Sequence, residues 1–163
     1  MKYAGTLAIA AKGDREITMT RRFAAPVPLV FEAWTNPALL RRWLLGPPGW
    51  TMPVCEVDFR VGGAYHYEWR NEKGQTMGVG GVYREIDPPH RFAATERFDQ
   101  AWYPGESLIT ITFAEQDGET EMTTTMRYES TAARDGVLKS PMEGGVKQSY
   151  DRLAAIVEKA QAS

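Results

Sequence analysis

The segment RFAATERF (91–98) places a carboxylate where a strand would present apolar side chains. Two-residue alternation puts Phe92, Ala94, Glu96 and Phe98 on one side of it. A carboxylate in such company must be paired, hydrated or protonated, and desolvation raises its pKa. Glu96 is therefore the candidate general acid or base, or a hydrogen-bonding anchor for a ligand. The alternative is an internal salt bridge to Arg127 or Arg91. In GAYHYEWR (63–70) the same alternation sends Tyr65, Tyr67 and Trp69 to one face and His66, Glu68 and Arg70 to the other. The aromatic set reads as inward, either filling a core or using two hydroxyls to orient a ligand.

Three further stretches supply apolar wall. EMTTTMRY (121–128) places Met122, Thr124, Met126 and Tyr128 on one face, and methionines suit an irregular core or a permissive pocket equally. WLLGPPGW (43–50) concentrates Trp43, Trp50 and two leucines around a Gly-Pro-Pro-Gly turn. FDQAWYPGES (98–107) sets Trp102 and Tyr103 beside Pro-Gly. Such aromatic loops fit the lips of one opening or a partner-binding patch, and the first also fits a plug sealing one end of the fold. No nucleophile elbow, glycine-rich phosphate loop, metal-spaced histidine pair or catalytic cysteine pattern occurs. Cys55, beside Val54 and Val57, reads as a buried structural thiol. No cofactor is implied.

These residues need elements to hold them. The period-two stretch over 15–23 predicts a first strand, and the helical spacing of Val30, Phe31 and Trp34 predicts a helix pair over 28–43, broken at Asn36-Pro37. Alternation and turn signals then predict strands over 51–60, 64–71, 77–86, 91–98, 107–115 and 119–129. A final helix over 140–160 carries Met142, Val146, Ser149 or Tyr150, Leu153, Ile156, Val157 and Ala160 on one stripe, with Ser140 as N-cap before Pro141. Gly144 and Gly145 in its first turns mark either a close approach or a frayed start. The class is α+β: a seven-stranded antiparallel sheet curling around one long helix, with a pocket wherever the wrap does not fill.

With 163 residues, 43% of them hydrophobic and 25% charged, the chain suits one domain over 1–163. A net charge of -2 and no dense basic cluster argue against nucleic acid and anionic membrane as partners. One cysteine precludes an internal disulfide and fits a reducing compartment, and two histidines leave a structural zinc short of ligands. MKYAGTLAIAAKGD is too short to span a bilayer and has no convincing signal-peptide core, so the cytoplasm is expected, with no membrane insertion.

ITMTRRFAAPVPLVFEAWTNPALLRRW, GPPGWTMPVCEVDFRVGGAYHYEW, GVYREIDPPHRF and TERFD together resemble the activator of heat-shock-protein-90 ATPase homologue family, within the START-like (SRPBCC) superfamily. The resemblance runs from about Arg15 to Ala160 and leaves 1–13 as a variable N-terminal segment. It implies the helix-grip fold, with a hydrophobic cavity between a curved sheet and the C-terminal helix. Relatives in the superfamily bind lipids, sterols, polyketides or other apolar molecules, and some are cyclases or hydrolases. Chaperone activators of the family carry a separate domain for their main chaperone contact, and no counterpart of its basic contact motif stands in this sequence.

Three readings follow. In the first, an apolar or amphipathic small molecule of lipid, polyketide or aromatic type is held between sheet and helix, with Trp43, Trp50, Tyr65, Tyr67, Trp69, Met126, Met142, Val146 and Tyr150 lining the cavity or its mouth and Glu96 supplying polarity. In the second, a cyclase or hydrolase uses Glu96 as acid or base, assisted by Tyr65 or Tyr67. In the third, an interaction module, a homodimer or a chaperone co-activator, uses the aromatic loops as its interface.

Overall fold

The computed structural model describes residues 1–162, with side chains through Gln161. Its strands are β1 (Ala8–Lys12), β2 (Glu16–Phe23), β3 (Trp50–Val57), β4 (Ala64–Asn71), β5 (Thr76–Asp87), β6 (Arg91–Phe98), β7 (Ser107–Gln116) and β8 (Glu119–Arg127). The helices are α1 (Val27–Thr35), α2 (Pro37–Trp43), α3 (Thr131–Lys139) and α4 (Met142–Ala162). The strands form one antiparallel sheet in the order β1-β2-β8-β7-β6-β5-β4-β3. Helices α1, α2 and α4 pack on one face of it.

Two elements depart from the sequence reading. The sheet has eight strands rather than seven, because Ala8–Lys12 pairs with β2 in register Ala8↔Thr20 to Lys12↔Glu16. This edge strand is mostly exposed and alanine-rich, so no alternation marks it. Backbone hydrogen bonds hold it, with half-buried Ile9 packing beside Met19 as its one inward contribution. The second departure is α3, in a stretch whose Asp135-Gly136 pair resembles a turn. Ser130 caps it by accepting from the Ala133 N–H at 3.0 Å, and Ala133 and Val137 are buried. Arg134 reaches back from it to the carbonyls of Gly13 and Glu16 at 3.1 and 3.0 Å. Ser140 consequently ends α3, donating its hydroxyl to the Val137 carbonyl, and does not cap the last helix.

The helix pair forms as its sequence dictates. Asn36 closes α1 with its N–H on the Glu32 carbonyl and opens α2 by accepting from the Ala38 N–H at 3.0 Å, with Pro37 at the first helical position. On α4, Tyr150, Leu153, Ala154 and Val157 are buried against α1, α2 and β2. Burying a side chain the size of Leu153 contributes about 1.5–3 kcal/mol. Ile156 is half-buried and Ala160 exposed, so the buried stripe is narrower than its apolar composition suggests.

Alternation on β2 sends Ile17, Met19, Arg21 and Phe23 inward, and Arg21 comes with them as a wholly buried cation. Its Nη1 donates to Asp151 of α4 at 2.7 Å and its Nε to the Arg22 carbonyl at 3.1 Å. This pair ties the long helix to the sheet.

A candidate ligand cavity between sheet and helix

Where the sheet and the first half of α4 diverge, they enclose a cavity of about 470 Å³. Sheet alternation builds its walls: Tyr65, Tyr67 and Trp69 from β4, Phe92, Ala94, Glu96 and Phe98 from β6, and Thr124 and Met126 from β8 all project into it, with Tyr128 just beyond β8. Helix α4 contributes Met142, Gly145, Val146, Ser149 and Tyr150. Both aromatic loops reach the same space, one with Leu44, Leu45, Pro47 and Trp50, the other with Trp102 and Tyr103. Trp102 is 51% exposed and Met77 42%, so the rim carries apolar surface into solvent.

Trp43 stands apart from this group. The structure places it outside the cavity, fully buried under α1, where its Nε1 donates to the Ala33 carbonyl at 2.9 Å and its ring meets Trp34 edge-on at 4.7 Å. Its neighbour in the motif, Trp50, is half-buried and borders the cavity. The turn between them is held against α4 by the Gly46 N–H donating to Ser149 Oγ at 2.8 Å. A Cβ on Gly145 would stand 3.2 Å from Pro47 Cδ, so this glycine admits the turn, while Gly144 faces open space. The close-approach reading therefore holds for Gly145 alone.

Most polar groups around the cavity are already engaged. Tyr65 donates to the Thr95 carbonyl at 2.6 Å, and Gly81 permits this crowding because a Cβ there would run into that same carbonyl oxygen. Trp69 Nε1 donates to the Leu44 carbonyl at 2.7 Å. Thr124 and Tyr150 share a hydrogen bond of 3.4 Å, and Tyr103 and Ser107 one of 3.3 Å.

Glu96 differs from them. No salt bridge reaches it among the described residues: Arg91 pairs with Glu85 at 3.0 Å, and Arg127 makes no ion pair with it. It is the only Asp, Glu, Lys, Arg or His among the described residues of the lining. Burial pushes its carboxyl up to about 7, with the Ser107 hydroxyl opposing the rise. Burial also raises the phenols around it, Tyr103 and Tyr150 to about 12 and Tyr65 and Tyr128 further still. The cavity as a whole resists negative charge.

A raised carboxyl pKa makes stability depend on pH. The folded state holds the Glu96 proton more tightly than the unfolded chain, so the contribution is complete below the unfolded value of about 4.3 and is lost as pH climbs through about 7. Between about pH 5 and about pH 8 the loss is on the order of 2–3 kcal/mol. In urea unfolding at about pH 5 and about pH 8, Glu96→Gln is expected to remove that part of the decline. An equal decline in both proteins would show that the carboxyl is solvated or paired.

Sequence reasoning missed several cavity residues. Met77, Val79 and Tyr83 lie on β5, where Gly78, Gly80 and Gly81 and a register shift between Tyr83 and Glu85 hide the alternation. Trp34, Ile109 and Ile111 carried ordinary core signals. Cys55 is buried, and burial raises its thiol, as an inert structural cysteine requires.

The family model for the Activator of Hsp90 ATPase homolog 1-like protein matches residues 24–158. The chain belongs to that family. A crystal structure of a protein from Rhodobacter sphaeroides is 30% identical, covers 94% of this chain and 98% of its own, and superposes with a TM-score of 0.88. One from Chromobacterium violaceum is 33% identical over 90% of this chain and 99% of its own, with a TM-score of 0.76. The AHSA1-like protein from Aeromonas hydrophila shares the fold at 19% identity and a TM-score of 0.67, covering 90% and 95% of the two chains. No curated protein matches the sequence. The eight-stranded sheet and long terminal helix thus match the family's helix-grip architecture. No described helix of this family member is long and apolar enough to cross a membrane.

Proposed function

We propose that this protein binds a small, mostly apolar molecule in the cavity between sheet and α4. The observation that carries the reading is a ligand-sized space whose aromatic and aliphatic walls surround one carboxyl with no cation beside it among the described residues of the lining. Such a combination, large apolar area with a single orienting polar group, is what small-molecule sites have in common. Trp50, Tyr65, Tyr67, Trp69, Met126, Met142, Val146 and Tyr150 form the apolar contact and Glu96 fixes orientation. Trp43 packs beneath α1 and against Tyr150 rather than on the cavity. Native mass spectrometry of freshly purified protein is expected to reveal a retained small molecule, released on denaturation. Protein at its bare chain mass, with no adduct after gentle purification from several hosts, would count against the reading.

A second reading has a specific observation in its favour. Glu96 titrates near neutrality, within a chain of hydroxyls formed by Tyr103 and Ser107, and Ser107 also donates to the Glu96 carbonyl at 3.4 Å. A carboxyl tuned to about 7 can give or take a proton at working pH, as cyclase or hydrolase chemistry needs. Tyr65 is a poor assistant in that scheme, because its hydroxyl is committed to a backbone carbonyl.

A further inference from the structure

We infer, resting on the cavity reading above, that the preferred ligand carries a protonated amine, which pairs with the Glu96 carboxylate between aromatic ring faces. The argument begins with charge. Glu96 is the single strongly ionisable group of the lining among the described residues, and no Lys, Arg or His shares the cavity with it. The described lining thus supplies an acidic partner and no basic one. A ligand ammonium completes that pair, whereas a ligand carboxylate or phosphate would meet a like charge in a medium of low dielectric.

Geometry gives the same answer for the walls. Tyr65, Tyr103 and Tyr150 line the same cavity as Glu96, and their hydroxyls are bonded to Thr95, Ser107 and Thr124. What they have left to offer a ligand is largely ring surface. Aromatic faces attract a desolvated cation, and a hydrogen bond between ammonium and carboxylate is about twice as strong as a neutral one. Together these offset the cost of taking the ammonium out of water.

Three probes matched in shape separate the possibilities: naphthylethylamine, naphthylethanol and naphthylacetate, titrated calorimetrically into the full chain near neutral pH. The amine is expected to bind at least about tenfold tighter than the alcohol, and the acetate at least about tenfold weaker than it. In Glu96→Gln, with thermal unfolding checking that the variant is folded, the amine is expected to lose its advantage over the alcohol. An alcohol that binds as well as the amine to the unaltered protein would overturn this inference and leave the cavity reading intact. An amine advantage that survives Glu96→Gln would overturn the assignment to Glu96. Failure of all three probes to bind would overturn both readings.

Discussion

Replacing Asp151, whose side chain is 31% exposed, with alanine is expected to cost about 2–4 kcal/mol of stability, which for a chain of this size is a fall of roughly 4–16 °C in Tm. The cause is the cation it leaves behind. The Arg21 side chain has no exposed surface, and its Nη1 bond to Asp151 is its one carboxylate contact among the described residues. Its Nη2 is buried without a hydrogen-bond partner among them, so there is no reserve to take up the charge. The Phe23 ring, 5.2 Å from the guanidinium carbon, offers only a weak substitute. Because the penalty comes from a stranded charge, Arg21→Met combined with Asp151→Ala is expected to recover most of the loss in chemical denaturation. A double variant no more stable than Asp151→Ala would show that the damage lies in packing.

The same pair predicts acid sensitivity. Burial alone would raise the Asp151 carboxyl, but the Gly5 N–H at 3.0 and 3.2 Å and the Arg21 guanidinium outweigh it and hold the pKa below the ordinary value. A depressed folded pKa gives stability that is present above the unfolded value and lost as pH falls through the folded one. Asp151 and Glu96 therefore act at opposite ends of the scale, the first failing in acid and the second weakening the fold toward alkaline pH.

How much of this was readable in advance depended on whether a local period survived. On β4 and β8 alternation survives, and on β6 the two-residue spacing of Phe92, Ala94, Glu96 and Phe98 still sets their face although Ala93 and Thr95 are buried too, so the faces of Tyr65, Tyr67, Trp69, Glu96 and Met126 followed from spacing. On α4, Met142, Val146 and Tyr150 stand four residues apart and share a face for the same reason. Trp43 marks the limit. Helical spacing turns it inward, but whether inward means cavity or solid core is decided by how α1 and α2 cross, which no local pattern encodes. The β1 strand was hidden because its pairing is made by backbone on an exposed edge, and α3 because Asp135-Gly136 imitates a turn. The partner of Glu96 was equally unreadable, since a missing salt bridge is a property of distances across the sheet.

The WLLGPPGW motif resolves into two roles. Trp43 anchors α2 beneath α1, and Trp50 and Pro47 stand at the cavity, with Trp102 of the second aromatic loop completing the rim. A rim shared by two loops and the first turns of α4 makes the mouth open to a single substitution. Val146 is half-buried and lines the cavity beside Gly145, whose position against Pro47 brings the first loop close to this turn of α4. A tryptophan in its place adds aromatic volume across the entrance, and the expected result is loss of binding by at least about tenfold, equivalent to about 1.4 kcal/mol. Leu108, exposed on β7 and absent from the cavity lining, is the control: a tryptophan there is expected to change nothing.

The most direct test is a fluorescence titration with the neutral apolar probe N-phenylnaphthylamine, exciting the tryptophans and following transfer to the probe, for the unaltered protein, Val146→Trp and Leu108→Trp, with thermal unfolding checking that each is folded. Saturable binding to one site in the unaltered protein and in Leu108→Trp, lost in a folded Val146→Trp, is the result the cavity predicts. Absence of saturable binding, or equal binding by all three proteins, would contradict it.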